Sequence, residues 1–326
     1  MTSDHEAKLP SVGLDPALFD PATVDAETRQ ANAMLEQLLA TTPSVLDLPA
    51  SEIRAARAEG RSFAGPVIRS PRAVDRSIEG AEGPLPLRVF AAPGARGVLL
   101  HIHGGGWALG AHDLQDPLLE ALSTTARIAV VSVGYRLAPE HPYPAANDDC
   151  EAAALWLVRN ARSEFGTERL FIGGESAGAH LSVVTMLRLR DRHGLRPFAA
   201  AGLTYGAFDL GFTPSGRRWG TRNLVLSTPI MQRFIEWYAP PDVRDPDVSP
   251  LHGDLRGLPP ALFSVGTLDP LLDDTLFMAS RWIAAGNSGE LAVYPGGVHG
   301  FNALPTALAR RANARLMGFI DRHAEA

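Results

Sequence analysis

Cysteine is almost absent from this chain: Cys150 is the only one in 326 residues, which excludes an intrachain disulfide and a cysteine-rich metal knuckle and removes any need for an oxidising compartment. Lysine is equally scarce, since only Lys8 among the 30 basic residues is lysine. The arginines are scattered, so this bias reads as GC-rich coding and carries no functional weight. Basic charge is not in excess either. Thirty Lys and Arg against 36 Asp and Glu give a formal net charge of -6, a balance that repels phosphate backbones and anionic headgroups and argues against nucleic-acid and membrane partners. No run approaches the roughly 18 apolar residues that span a bilayer. The stretch Met1-Thr2-Ser3-Asp4-His5-Glu6 has neither the basic cluster nor the apolar core of a secretory leader. The expectation is a cytoplasmic protein.

What is present is the make-up of a folded globular chain, with 45% apolar, 20% charged and 7% aromatic residues. Internal repeats and low-complexity runs are missing. In the first sixty or so residues, Ala31, Met34, Leu35, Leu38 and Leu39 form an amphipathic helical stripe that Pro43 stops, and Ser51 to Arg57 suits a second helix. From about Leu85 the texture changes. Short apolar runs at Val98 to Ile102, Ile128 to Val133, Leu170 to Ile172, Phe198 to Leu203, Ala261 to Val265 and Leu291 to Tyr294 read as strands buried on both faces. Helical patterns at Glu151 to Arg162, Ala177 to Arg190, Leu271 to Ala285 and Ala307 to His323 lie between and after them. That alternation is the sequence form of a mostly parallel α/β sheet. Between Tyr205 and Ala261 about fifty residues intervene, too many for a plain connection. There Thr228 as N-cap and Pro229 as first helical residue open a helix with Ile230, Met231, Phe234, Ile235 and Tyr238 on one oily face.

The chemistry begins at Gly174-Glu175-Ser176-Ala177-Gly178, placed between a strand and a helix. Glycines two residues either side of Ser176 allow a sharp turn that exposes the hydroxyl, and the helix N-terminus favours developing negative charge. Upstream, His103-Gly104-Gly105-Gly106-Trp107 follows another strand. Its unobstructed N–H groups suit an oxyanion hole, whereas a phosphate loop would need a following Lys-Ser/Thr or a G-x-G-x-x-G pattern, neither of which is present. His101 and His103 form an H-x-H pair, but no third ligand stands out, so no metal is expected. Activating a serine takes an imidazole and a carboxylate from later strand ends. Asp269 follows one strand and His299 another, in the order Ser, Asp, His. Asp273 and Asp274 are rival acids, better placed on the following helix; His112, His141, His180 and His252 lack a strand-end position and read as surface or structural groups.

Together with Tyr135-Arg136-Leu137-Ala138-Pro139-Glu140-His141-Pro142, Asp269-Pro270-Leu271 and His299-Gly300-Phe301, these motifs resemble the bacterial hormone-sensitive-lipase-like carboxylesterases, family IV of the α/β-hydrolases, over about Val98 to Phe301. The resemblance implies an eight-stranded, mostly parallel sheet flanked by helices, with Ser176 as nucleophile, His299 as base and then acid, Asp269 as its orienter, and N–H donors from Gly104, Gly105 and Ala177. It implies a discontinuous helical cap over residues 1–62 and 207–247, and a catalytic domain over 63–206 and 248–326. Glu175 stands where aspartate is commonest in the family. The Tyr135 to Glu140 segment is expected to brace the oxyanion loop. The activity implied is hydrolysis of short- to medium-chain acyl esters without a cofactor. A carbonyl ester offers mostly hydrocarbon to bind, so an apolar pocket is expected, with Trp107, Tyr205 and Phe234 as candidate walls for which plain core packing is the alternative. The partner is then a small ester, with homodimers frequent in the family. A lactonase, amidase or peptidase would use the same triad, and a receptor on this fold would be expected to lose the histidine.

Overall fold

Short β-branched runs cannot satisfy their backbone alone, so they pair, and the pairing decides where every loop ends. The computed structural model describes residues 13–62 and 65–325. Its strands are β1 (Ala73–Gly80), β2 (Gly83–Phe90), β3 (Val98–Ile102), β4 (Ala129–Val133), β5 (Leu170–Glu175), β6 (Phe198–Thr204), β7 (Ala261–Leu268) and β8 (Gly289–Val298). They form one sheet in the order β1-β2-β4-β3-β5-β6-β7-β8. β1 runs antiparallel to β2, and β2 antiparallel to β4, while the other pairs are parallel.

The helices are α1 (Ala26–Thr41), α2 (Ala50–Ala58), α3 (Asp116–Thr125), α4 (Ala145–Phe165), α5 (Ala177–His193), α6 (Pro214–Arg218), α7 (Thr228–Tyr238), α8 (Leu272–Ala284) and α9 (Ala307–Glu325). Alternate residues of each central strand feed opposite faces. Val98, Leu100 and Ile102 of β3 join one apolar cluster with α4, α5, α7 and α8, and Leu99 joins the other with α1, α3 and α9. All five residues of β3 and of β4 are buried, as a parallel sheet covered on both sides requires. Among the described residues no helix is long and apolar enough to cross a membrane.

Several expectations need correction. β1 and β2 were not among the six anticipated strands. β1 is the half-exposed edge, and Pro84 and Pro86 in β2 are tolerated because that hairpin is antiparallel and near the sheet border. The α1 stripe is narrower than the sequence suggests: Leu35 and Leu39 are buried, but Met34 and Leu38 are 63% and 45% exposed. The N-cap of α7 is Ser227, whose hydroxyl accepts from Ile230 N–H, while the Thr228 hydroxyl donates to the Gly216 carbonyl. α4 begins at Ala145, earlier than the anticipated Glu151.

The segment expected as the first part of a cap starts at Met1, and its first twelve residues lie outside the described ones. The rest supplies α1 and α2. The second such segment supplies α6 and α7, and the two segments meet through Arg222, which donates to both Glu36 oxygens at 2.9 Å.

Candidate active site

Parallel strands deliver their C-terminal ends to one edge of the sheet, and the chemistry-bearing residues gather there. Ser176 follows β5 directly and opens α5 with φ 56° and ψ -120°, a strained backbone for a residue with a side chain. The turn is possible because two glycines face the Ile102 carbonyl oxygen. A Cβ on Gly174 would sit 2.0 Å from it and one on Gly178 only 1.8 Å. Ser176 N–H is held by the Thr204 carbonyl at 2.9 Å.

Asp269 and His299 follow the neighbouring strands β7 and β8. His299 Nε2 lies 2.9 Å from Ser176 Oγ, and His299 Nδ1 lies 2.9 Å from Asp269 Oδ2. A carboxylate only accepts, so Nδ1 carries the proton and Nε2 is left to accept from the serine hydroxyl. The Asp269 carboxylate is fully buried, and its other oxygen accepts Leu271 N–H at 2.9 Å. The rival acids are occupied elsewhere. Asp273 accepts Ser215 N–H, and Asp274 accepts from Phe208 N–H, Asp209 N–H and the Thr213 hydroxyl.

The loop after β3 brings Gly104 and Gly105 beside this group; a Cβ on Gly104 would meet the Glu175 carbonyl at 2.6 Å. Gly104 and Gly105 N–H take no backbone partner among the described residues. Ala177 is the first residue of α5, where N–H has no acceptor within the helix. Tyr135 braces the loop, donating its hydroxyl to the His103 carbonyl at 2.9 Å and stacking on the His103 ring at 4.2 Å. Ala138 N–H donates to the Trp107 carbonyl, and Arg54 of α2 donates to the Ala108 carbonyl. On the other side, Asn32 of α1 donates to the Gly296 carbonyl at 2.8 Å, three residues before His299. The N-terminal helices thus touch both loops of the site.

Beneath Ser176, Glu175 is buried with His101 Nε2 at 3.2 Å and takes a bond from Gln115 at 3.0 Å. Burial alone would raise its carboxyl, but the His101 charge and these bonds outweigh it and hold it below the usual range. His101 Nδ1 pairs with Ser132 Oγ, and His103 Nδ1 with the Gly104 carbonyl, so the two rings of the H-x-H pair face separate partners. Burial pushes His103 down to about 3 and keeps it neutral.

Of the three expected wall residues, Phe234 lies over the glycine loop after β3, its ring atoms 2.3–2.6 Å from where a Cβ on Gly106 would stand. Tyr205 packs its ring 4.7 Å from His299 and bonds its hydroxyl to Asn302. Trp107 is buried, with its indole between His180 and Tyr238. His112 is half-buried and His141 and His252 are exposed, while His180 is fully buried inside the site's frame. The partners of His180, Gln115 and Asn302 lie 60 or more residues away in the chain; single-sequence reading carries no signal for such pairs.

Residues 99–303 match the family model described as the alpha/beta hydrolase fold. The chain is 36% identical over 306 residues to the carboxylesterase NlhH of Mycobacterium tuberculosis, covering 89% of this chain and 95% of that one. To the carboxylic ester hydrolase LipN of the same organism it is 37% identical over 270 residues, covering 77% and 70%. Among solved structures, an esterase from the archaeon Pyrobaculum calidifontis superposes with a TM-score of 0.79 at 28% identity, covering 96% of this chain and 99% of the other. A hormone-sensitive lipase from a metagenome library does so with a TM-score of 0.81 at 27% identity, covering 92% and 99%.

Proposed function

Because this chain belongs to the alpha/beta-hydrolase family and is a carboxylic ester hydrolase, we propose that it works by two-step acyl transfer on Ser176, His299 and Asp269. The observation that carries this reading is the unbroken line of hydrogen bonds from Ser176 Oγ through His299 to Asp269, 2.9 Å at each step. His299 Nε2 takes the hydroxyl proton as Oγ attacks the ester carbonyl carbon. The carbonyl oxygen becomes an alkoxide and settles against the N–H groups of Gly104, Gly105 and Ala177, each such donor being worth roughly 3 kcal/mol in the transition state. As the C–O bond to the alcohol breaks, His299 returns the proton to the departing oxygen. Water then repeats the sequence on the acyl-serine, its proton passing to His299 and back to Oγ, and the carboxylic acid leaves. Asp269 stays ionised throughout and stabilises the imidazolium.

The preferred substrates are esters of short- to medium-chain acids. Support comes from Phe234 of α7, which occupies the space directly above Gly106, and from Tyr205 against the His299 ring. Both would shorten the room for an acyl chain. Residues 13–62, the described part of the segment 1–62, act with the segment 207–247 as the cap, a reading supported by their contacts with the Gly296 and Ala108 carbonyls and with Gly106.

Hydrolysis of p-nitrophenyl esters from acetate to palmitate tests the reading. The expected profile peaks at short to medium chains, moves toward longer ones in Phe234→Ala, and vanishes in Ser176→Ala. A peak at palmitate in the unsubstituted protein would overturn the chain-length preference, and full turnover by Ser176→Ala would overturn the nucleophile.

A further inference from the structure

His180 stands one helical turn beyond Ser176 on α5 and is wholly buried. Its two ring nitrogens have different partners. The Trp107 indole N–H donates to Nδ1 at 3.1 Å, and Nε2 lies 2.8 Å from the Val248 carbonyl oxygen. An indole can only donate and a carbonyl can only accept, so the proton sits on Nε2 and Nδ1 keeps its lone pair. Burial pushes the imidazole down to about 4, which keeps it neutral near neutral pH.

Trp107 closes the glycine loop after β3. Gly105, Gly106 and Trp107 have φ of 113°, 59° and 58°; for a tryptophan this left-handed backbone is strained and persists only where its surroundings hold it. Three contacts do so. The Trp107 carbonyl accepts Ala138 N–H at 3.0 Å, the indole N–H is taken by His180, and the indole stacks on Tyr238 at 4.7 Å. Tyr238 is the last residue of α7, and its hydroxyl donates to Asn147 Oδ1 at 2.6 Å. Val248 follows Asp247, whose two oxygens accept from the buried Arg188 of α5. His180 is therefore the point where the glycine loop, the helix behind Ser176, and the chain just after the 207–247 segment are joined.

We propose that His180 is a positioning residue for ester hydrolysis: by accepting from Trp107 and donating to Val248, it holds the strained loop so that Gly104 and Gly105 N–H stay aimed at the oxygen of the ester attacked by Ser176. This rests on the reading of those N–H groups as the oxyanion site. It goes beyond that reading by placing part of the catalytic geometry in a side chain that touches neither substrate nor reacting atoms.

Three variants test it. His180→Phe keeps a ring and removes both bonds, His180→Gln keeps one donor and one acceptor, and Trp107→Phe removes the indole donor from the other side. Each is assayed for kcat and KM with p-nitrophenyl butyrate and for inhibition by butylboronic acid, whose serine adduct is tetrahedral and anionic. Loss of positioning predicts that His180→Phe lowers kcat about 10- to 100-fold with KM within about twofold, because the interaction matters only once the oxyanion forms. Affinity for the boronic acid falls by a similar factor, His180→Gln recovers most of both losses, and adding Trp107→Phe to His180→Phe costs nothing further. Trp107→Phe alone carries the same test if His180→Phe does not fold. A raised KM at unchanged kcat, a His180→Gln no better than His180→Phe, or additive losses would overturn the role given to His180. If the unsubstituted protein binds the boronic acid no more tightly than its ester, the oxyanion reading itself fails, an outcome distinct from variants that leave tight binding intact.

Discussion

A serine hydroxyl is a weak nucleophile at neutral pH, so what distinguishes Ser176 is its setting: a strained turn, an imidazole at 2.9 Å, and a carboxylate behind that imidazole. Other acids nearby do structural work, and Asp274 gives a prediction of its own. Burial pushes its carboxyl from the ordinary 3.8 up to about 7, against the bonds from Thr213, Asp209 and Phe208. The folded protein therefore keeps a proton that the unfolded chain releases between those values. The stability this contributes is complete below about 3.8 and is lost as pH rises through about 7. Asp274→Asn cannot titrate, so its Tm relative to the unsubstituted protein should climb by several degrees between about pH 5 and about pH 8; parallel curves would contradict the shift. At this scale the sequence was readable where a motif dictates backbone shape. Ser176 between its glycines, and Asp269 and His299 just past apolar runs, could be picked from neighbours alone, and the structure brings the three within hydrogen-bond reach. His180 could not be singled out, because its importance comes from Trp107 and Val248, 73 and 68 positions away.

Helices and strands position these residues through a small number of buried polar joints. Arg188, in the middle of α5, donates to Asp247 at 2.6 and 2.5 Å, to Asp148 at 2.7 Å and to Glu151 at 3.0 Å. It thereby ties the helix behind Ser176 to α4 and to the return of the 207–247 segment. Removing one partner of such a group strands the others, so Arg188→Met should lower stability by about 3–5 kcal/mol, with the urea midpoint falling and the slope unchanged. A loss below about 1 kcal/mol would show that the acids are solvated and that the joint is unimportant. Strongly patterned elements were legible beforehand. The oily stripe of α7 is buried at Ile230, Met231, Phe234 and Tyr238, and β3 and β4 match their apolar runs almost residue for residue. β1 and β2 were not, since an exposed edge hairpin with prolines lacks the apolar signature of a central strand. Two of the five residues of the α1 stripe, Met34 and Leu38, face outward, where periodicity alone cannot say how much of a helix face will be covered.

Over the whole molecule, the parallel arrangement of β3, β5, β6, β7 and β8 places glycine loop, serine, carboxylate and histidine at one edge. The alternation of short apolar runs with helical stretches carries this parallel topology in the sequence, and the placement of serine, acid and base after such runs agrees with it. How the outer segments attach to this edge was less legible. The bonds from Asn32 to Gly296, from Arg54 to Ala108, and between Arg222 and Glu36 join residues 54 to 264 positions apart, and nothing in local pattern announces them. Ester hydrolysis by the proposed route requires that Ser176 be the group that is acylated. The most direct measurement is mass spectrometry of the protein after exposure to diethyl p-nitrophenyl phosphate, with esterase activity followed in parallel. The expected result is a single diethylphosphoryl group on the peptide containing Ser176, appearing as activity disappears, and no label or activity in Ser176→Ala. A label on another residue that tracks the loss of activity, or hydrolysis that survives in Ser176→Ala, would contradict it.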